Sequence, residues 1–108
     1  MRHVFILNPV AGKNRSALAL RGKIDAYFAR HPELEYCVRL TDGVGSATRI
    51  AQEECETGDV RLYACGGDGT LQETANGSIQ ANRSNIQRNA ITAINSIDRY
   101  SSTFNQIG

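Results

Sequence analysis

Apolar residues along this chain fall into short runs that alternate with stretches of helical spacing. Residues 2–7 (Arg-His-Val-Phe-Ile-Leu) form a compact apolar run stopped by Asn8-Pro9, which predicts a buried strand. From Asn14 to Arg30 the apolar positions are Ala17, Leu20, Ile24, Tyr27 and Phe28, three or four apart as one face of a helix requires. Asn14 or Ser16 can cap its start, and His31-Pro32 ends it, because a residue before proline is pushed out of helical geometry. Glu35 to Leu40 reads as a second strand closed by Thr41-Asp42-Gly43. Ser46 to Thr57 places Ala47, Ile50, Ala51 and Cys55 on one helical face, with Gly58 as its C-terminal cap. Val60, Leu62 and Ala64 alternate with Arg61 and Tyr63 as a third strand. Thr70 to Ile79 predicts a helix broken late by Gly77; a polar loop, 81–89, and a fourth strand, Ala90 to Ile94, follow.

Strands alternating with helices predict an α/β fold: three layers, α/β/α, around a mostly parallel, Rossmann-like sheet. In such sheets ligands lie beyond the carboxyl ends of the strands. The segments that matter are therefore 8–14, 41–45 and 65–70, all rich in glycine or small polar residues.

Composition narrows the class. The 108 residues allow one domain, with roughly 65% of the unfolded surface buried. At 41% hydrophobic and 21% charged the chain is ordinary for a folded protein. A net charge of +1 supplies no electrostatic footprint for nucleic acid. Cys37, Cys55 and Cys65 are odd in number and lack Cys-x-x-Cys spacing, which fits reduced thiols in a cytoplasm rather than a disulfide framework or zinc site. No transmembrane segment is expected, since Val4-Phe5-Ile6-Leu7 is too short. His3 and His31 have no metal-ligand spacing around them, and no metal-binding side chains are assigned.

Three loops carry candidate chemistry. Asn8-Pro9-Val10-Ala11-Gly12-Lys13-Asn14 fails as a Walker A loop: Asn14 follows the lysine, and Leu7 stands where the earlier glycine belongs. Gly43-Val44-Gly45-Ser46-Ala47-Thr48 falls one glycine short of a dinucleotide fingerprint and follows the wrong strand. Gly66-Gly67-Asp68-Gly69-Thr70 lies between a buried strand and a helix start. Free amides and the helix dipole favour an anion there, and absent side chains let backbone approach a phosphate. A glycine-rich turn capped by Asp68 is the competing reading, and local chemistry does not separate the two.

The combination resembles the diacylglycerol kinase catalytic domain family, which includes bacterial lipid kinases and sphingosine kinases and is more distantly similar to NAD kinases. The resemblance rests on Asn8, Pro9, Gly12 and Lys13; on Thr41, Gly45 and Ala47; and on Gly66 to Leu71 with Glu73, Asn76 and Gly77, spread over about residues 2–94. It implies ATP-dependent phosphorylation of a lipid hydroxyl, with ATP and Mg²⁺ as cofactors. By position, Asn8, Pro9, Val10, Ala11, Gly12 and Thr41 would line the nucleotide pocket. Gly66, Gly67, Asp68, Gly69, Thr70, Leu71 and Gln72 would wrap the phosphates. Asp68 would be the catalytic residue, orienting the acceptor hydroxyl or a Mg²⁺-bound phosphate. Glu73 and Asn76 would stand behind these or simply face solvent.

The pattern breaks after Ile94. The family continues with Pro-x-Gly-Thr-Gly-Asn-Asp-Phe and then a β-rich lipid-holding domain, whereas residues 95–108 begin Asn-Ser-Ile-Asp-Arg-Tyr and hold no glycine before Gly108. The expected organisation is a nucleotide-binding domain over 1–94 and a divergent tail over 95–108, from a fragment, a slipped reading frame or a true short relative. Such a chain is expected to bind ATP weakly and to phosphorylate nothing on its own, to meet a lipid acceptor only in a full-length form and to dimerise through exposed apolar surface. An NAD-kinase-like fragment and a non-catalytic nucleotide-binding module are the alternatives.

Overall fold

The computed structural model describes residues 2–10, 16–82 and 90–94. The elements are β1 (Arg2–Leu7), α1 (Ser16–Ala29), β2 (Glu35–Leu40), α2 (Ser46–Cys55), β3 (Val60–Cys65), α3 (Asp68–Asn82) and β4 (Ala90–Ile94). The strands form one sheet in the order β2-β1-β3-β4, and every pairing is parallel. The predicted α/β/α layering holds, with α1 on one face and α2 with α3 on the other.

Alternation along β1 and β3 decides which core each residue enters. Phe5, Leu7, Tyr63 and Cys65 point toward Leu20, Ile24 and Phe28 of α1. Phe5 stacks on Tyr63 with ring centroids 4.2 Å apart, and Phe28 meets Phe5 edge-on at 5.7 Å. Val4, Ile6, Val60 and Leu62 point the other way, onto Ala47, Ile50, Ala51 and Cys55 of α2 and Ala81 of α3. Both faces of the central strands are thus covered, which is why β1 reads as a continuous apolar run. Each large side chain so buried contributes about 2 kcal/mol of hydrophobic stabilisation.

Among the buried polar residues, His3 and Glu54 carry titratable side chains. His3 Nδ1 and the Tyr63 hydroxyl share a 2.8 Å hydrogen bond on the α1 face. Burial chiefly, then the charges of Arg61 and the N-terminus, hold His3 below its ordinary value of 6.5. Glu54, in the last turn of α2, is buried and bonded by Arg2 and by Arg39 Nη1 at 2.7 Å. Arg2 also donates to Thr57 Oγ1 at 2.7 Å, and Arg39 to Glu53 at 3.1 Å. These guanidiniums join β1 and β2 to the end of α2.

The predicted break at Gly77 does not occur. Helix α3 starts two residues earlier than expected, at Asp68, and runs through Gly77 to Asn82. At Gly77 helix α3 runs close against α2. A Cβ there would collide with the Thr48 carbonyl oxygen and lie 2.8 Å from Ala51 Cβ. The residue is glycine because α2 backbone occupies the space a side chain needs. The buried face of α3 is otherwise built from Thr70, Thr74, Ser78 and Ala81, small residues that let the two helices pack closely. Residues 83–89, most of the expected polar loop, and the expected tail over 95–108 lie outside the described residues.

Candidate functional site

The ladders of β1 do not stop where its strand does. Asn8 N donates to Cys65 O at 3.0 Å, and Thr41 N donates to Leu7 O at 2.9 Å. Asn8 and Thr41 are therefore held as further rungs at the carboxyl ends of β1 and β2. The Asn8 side chain turns the chain immediately, its Oδ1 accepting from Val10 N at 3.1 Å.

On the β3 side, Gly67 O accepts the first bond of α3, from Leu71 N at 3.2 Å. That leaves the amides of Asp68, Gly69 and Thr70 without a helical partner, at the positive end of the helix dipole. The glycines of this loop differ in what they do. Gly66 is pinned: a Cβ would lie 3.0 Å from Thr70 Cβ and 3.3 Å from Asn8 Cβ. Gly67 and Gly69 meet nothing within 4 Å and do not adopt the left-handed conformation that favours glycine. The fold gives no reason for either to lack a side chain.

Between these segments lies a cleft of about 500 Å³, lined by Asn8, Pro9 and Val10, by Thr41 to Val44, and by Gly69, Thr70 and Glu73. Its volume is in the range of small-molecule sites. Asn8, Thr41, Gly69 and Thr70 supply polar groups, whereas Val10 and Val44 are highly exposed, at 86% and 102%. The described lining carries two carboxylates, Asp42 and Glu73, and no lysine or arginine.

Of the residues singled out by sequence, Asn8, Pro9, Val10, Thr41, Gly69 and Thr70 come together around this cleft. Gly66 packs behind it against Thr70 and Asn8. Gly67 and Asp68 are exposed at the head of α3, and no described residue bonds the Asp68 carboxylate. Leu71 is half-buried and Gln72 exposed, both outside the cleft lining. Ala11 and Gly12 lie outside the described residues. Cys65, just before the loop, is not a nucleophile: burial pushes its thiol up to about 12.

Sequence reasoning singled out the 41–45 segment but named only Thr41 in it, so Asp42, Gly43 and Val44 join as lining residues, and it left Glu73 undecided. Glu73 Oε1 accepts from Gly45 N at 3.1 Å, and its carbonyl accepts from Thr48 Oγ1 at 2.9 Å. Nothing near Glu73 in sequence announces a partner 28 residues away.

A cleft at the carboxyl ends of parallel strands, floored by a glycine-rich helix start, lies where open α/β sheets place their ligands. The sequence pattern of the diacylglycerol kinase catalytic domain matches residues 2–95, and the chain belongs to that family. It is 41% identical over 64 residues to a Pseudomonas fluorescens protein assigned as a YegS-like lipid kinase, covering 59% of this chain and 21% of the relative. Its fold is similar to the solved structure of a Bacillus anthracis protein assigned as a diacylglycerol kinase. That likeness has a TM-score of 0.65 and 27% identity over 88% of this chain and 32% of the other. The chain thus spans about a fifth of the curated relative and about a third of the solved one. Among the described residues, no helix is long and apolar enough to cross a membrane.

Proposed function

We propose that this chain is the ATP-binding part of a lipid kinase that transfers the γ-phosphoryl group of ATP to a lipid hydroxyl of diacylglycerol type. The observation that carries the reading is Gly69. It lines the cleft, is unstrained, and has open space where its side chain would be, beside three amides lacking helical partners. Bare backbone of this kind suits phosphate oxygens, which approach amides closely.

The division of the cleft supports a nucleotide in particular. Amides and hydroxyls of Asn8, Thr41, Gly69 and Thr70 suit the phosphates and sugar, and the exposed Val10 and Val44 suit a flat base. Asp42 and Glu73 would repel a bare polyphosphate, but Asp42 is an oxygen donor of the type Mg²⁺ takes, together with the phosphates it escorts. The bound ion would neutralise charge on the transferring group. Asp68, exposed at the head of α3, is assigned to orient the acceptor hydroxyl or the ion-bound phosphate. The acceptor lipid is assigned to the part of the relatives that this chain does not span.

Thermal unfolding of the chain with and without ATP·Mg²⁺ tests the reading. At ~100 times the dissociation constant the ligand adds about 2.7 kcal/mol. In a domain of this size that raises Tm by roughly 10–20 °C. An equal shift with NAD in place of ATP would favour the NAD-kinase-like alternative, and no shift with either would remove the nucleotide reading.

A further inference from the structure

Helix α2 begins at the cleft without a cap of its own. Its N-cap is Gly45, in the left-handed conformation with φ 84°, and no side chain of the α2 start bonds its first amides. Polar side chains normally satisfy such a helix start, often with an acid three residues into the helix reaching back to the N-cap amide. Here the acid comes from another helix. Glu73 of α3 accepts the Gly45 amide at 3.1 Å and sets its charge at the positive end of α2.

The same residue is tied down from its other side. Thr48 Oγ1 donates to the Glu73 carbonyl at 2.9 Å, and one turn on, Gly77 brings α3 against the α2 backbone. Glu73 is therefore presented on a helix whose distance from α2 is fixed. Its side chain reaches a loop that has little else to hold it. Within 42–46, the described bonds are Asp42 N to Ser46 Oγ and Ser46 N to Gly43 O, both at 3.2 Å and both local. Thr41 is anchored to β1 and Gly45 to Glu73, and between them lie Asp42, Gly43 and Val44, which form one wall of the cleft.

We infer that Glu73 is a positioning residue: by capping α2 from α3, it holds the 42–45 wall at a fixed distance from the phosphate loop at Gly69 and Thr70. This rests on the nucleotide reading for its consequence in binding, but not for its geometry.

Hydrogen exchange on the free protein, paired with ATP·Mg²⁺ titration, tests it in three variants. Glu73→Ala removes the bond. Glu73→Asp keeps the charge but is a methylene too short to reach. Glu73→Gln keeps an oxygen that can accept from Gly45. Alanine and aspartate are expected to speed exchange of the Gly45 and Ser46 amides and to weaken ATP binding about tenfold, with glutamine restoring both. Unchanged exchange in the alanine variant, or glutamine behaving as alanine does, overturns the inference. Should alanine prevent folding, the contrast between aspartate and glutamine decides on its own. The two arms fail separately. A wild-type chain that ignores ATP removes the nucleotide reading, while the exchange pattern still reports whether Glu73 holds the wall.

Discussion

Gly77 of α3 and Thr48 of α2 bring the two helices into backbone contact, with no room for a β-carbon at 77. Helix propensity alone favours alanine over glycine by about 1 kcal/mol. The collision with a carbonyl oxygen and the approach to Ala51 outweigh it, since neither partner is the end of a flexible chain. Gly77→Ala is expected to destabilise by about 2 kcal/mol net, read as a lowered denaturant midpoint with an unchanged slope.

The glycines of the 66–69 loop predict a split between stability and binding. Gly69→Ala meets no atom in the free protein and adds a helix former to the first turn of α3, so stability should hold or rise by about 0.5 kcal/mol. ATP affinity should fall, because the new methyl group stands where phosphate would approach. Gly66→Ala should instead lower stability by about 1–2 kcal/mol through its contacts with Thr70 and Asn8. Denaturation and ATP titration on both variants check this, and equal behaviour of the two would contradict it.

His3 predicts a pH dependence. Its folded pKa is depressed by burial, Arg61 and the N-terminus, so the unfolded chain binds the proton more readily. Stability should be full above about pH 6.5 and decline as pH falls from there through the folded-state pKa. The Tyr63 hydroxyl, pushed up to about 12 mainly by burial, stays neutral throughout and cannot offset the charge. In His3→Gln the part of this decline owed to the imidazole should vanish, measured as the difference between denaturant midpoints at pH 7.5 and 5.5.

Glu54 should matter far more than its neighbour. Removing it in Glu54→Ala leaves the partly exposed Arg2 and Arg39 without the buried carboxylate they share, at a cost of about 1–2 kcal/mol. Glu53, half exposed and paired only with arginines at the surface, should cost under about 0.5 kcal/mol as alanine. Thermal unfolding of the two single variants makes the comparison.

What could be read from sequence follows where the signal lies within one short run. The bounds of β1, β2 and β4 agree with their apolar runs, because alternation or continuity of apolar residues is a local signal. Helix α3 was harder. Its buried face is Thr70, Thr74, Gly77, Ser78 and Ala81, which look polar or helix-breaking in a list and reveal their packing only against α2. The site divides in the same way. Asn8 and Thr41 directly follow strands, and Gly69 and Thr70 lie in the first turn of the helix after one, so all four could be found by position along the chain. The role of Glu73 depends on an amide brought near by helix packing, and no local spacing encodes it.

The strand order carries a consequence for how the chain is born. Of the described strands, β1 is synthesised first and ends up enclosed, with β2 on one side and β3 on the other. Its last neighbour, Cys65, emerges 58 residues after Leu7. At typical rates of synthesis, the Val4–Leu7 segment therefore waits roughly 3 to 12 s before both of its edges can be paired. During that interval an aliphatic strand with open edges is a natural client for a chaperone that shelters nascent chains.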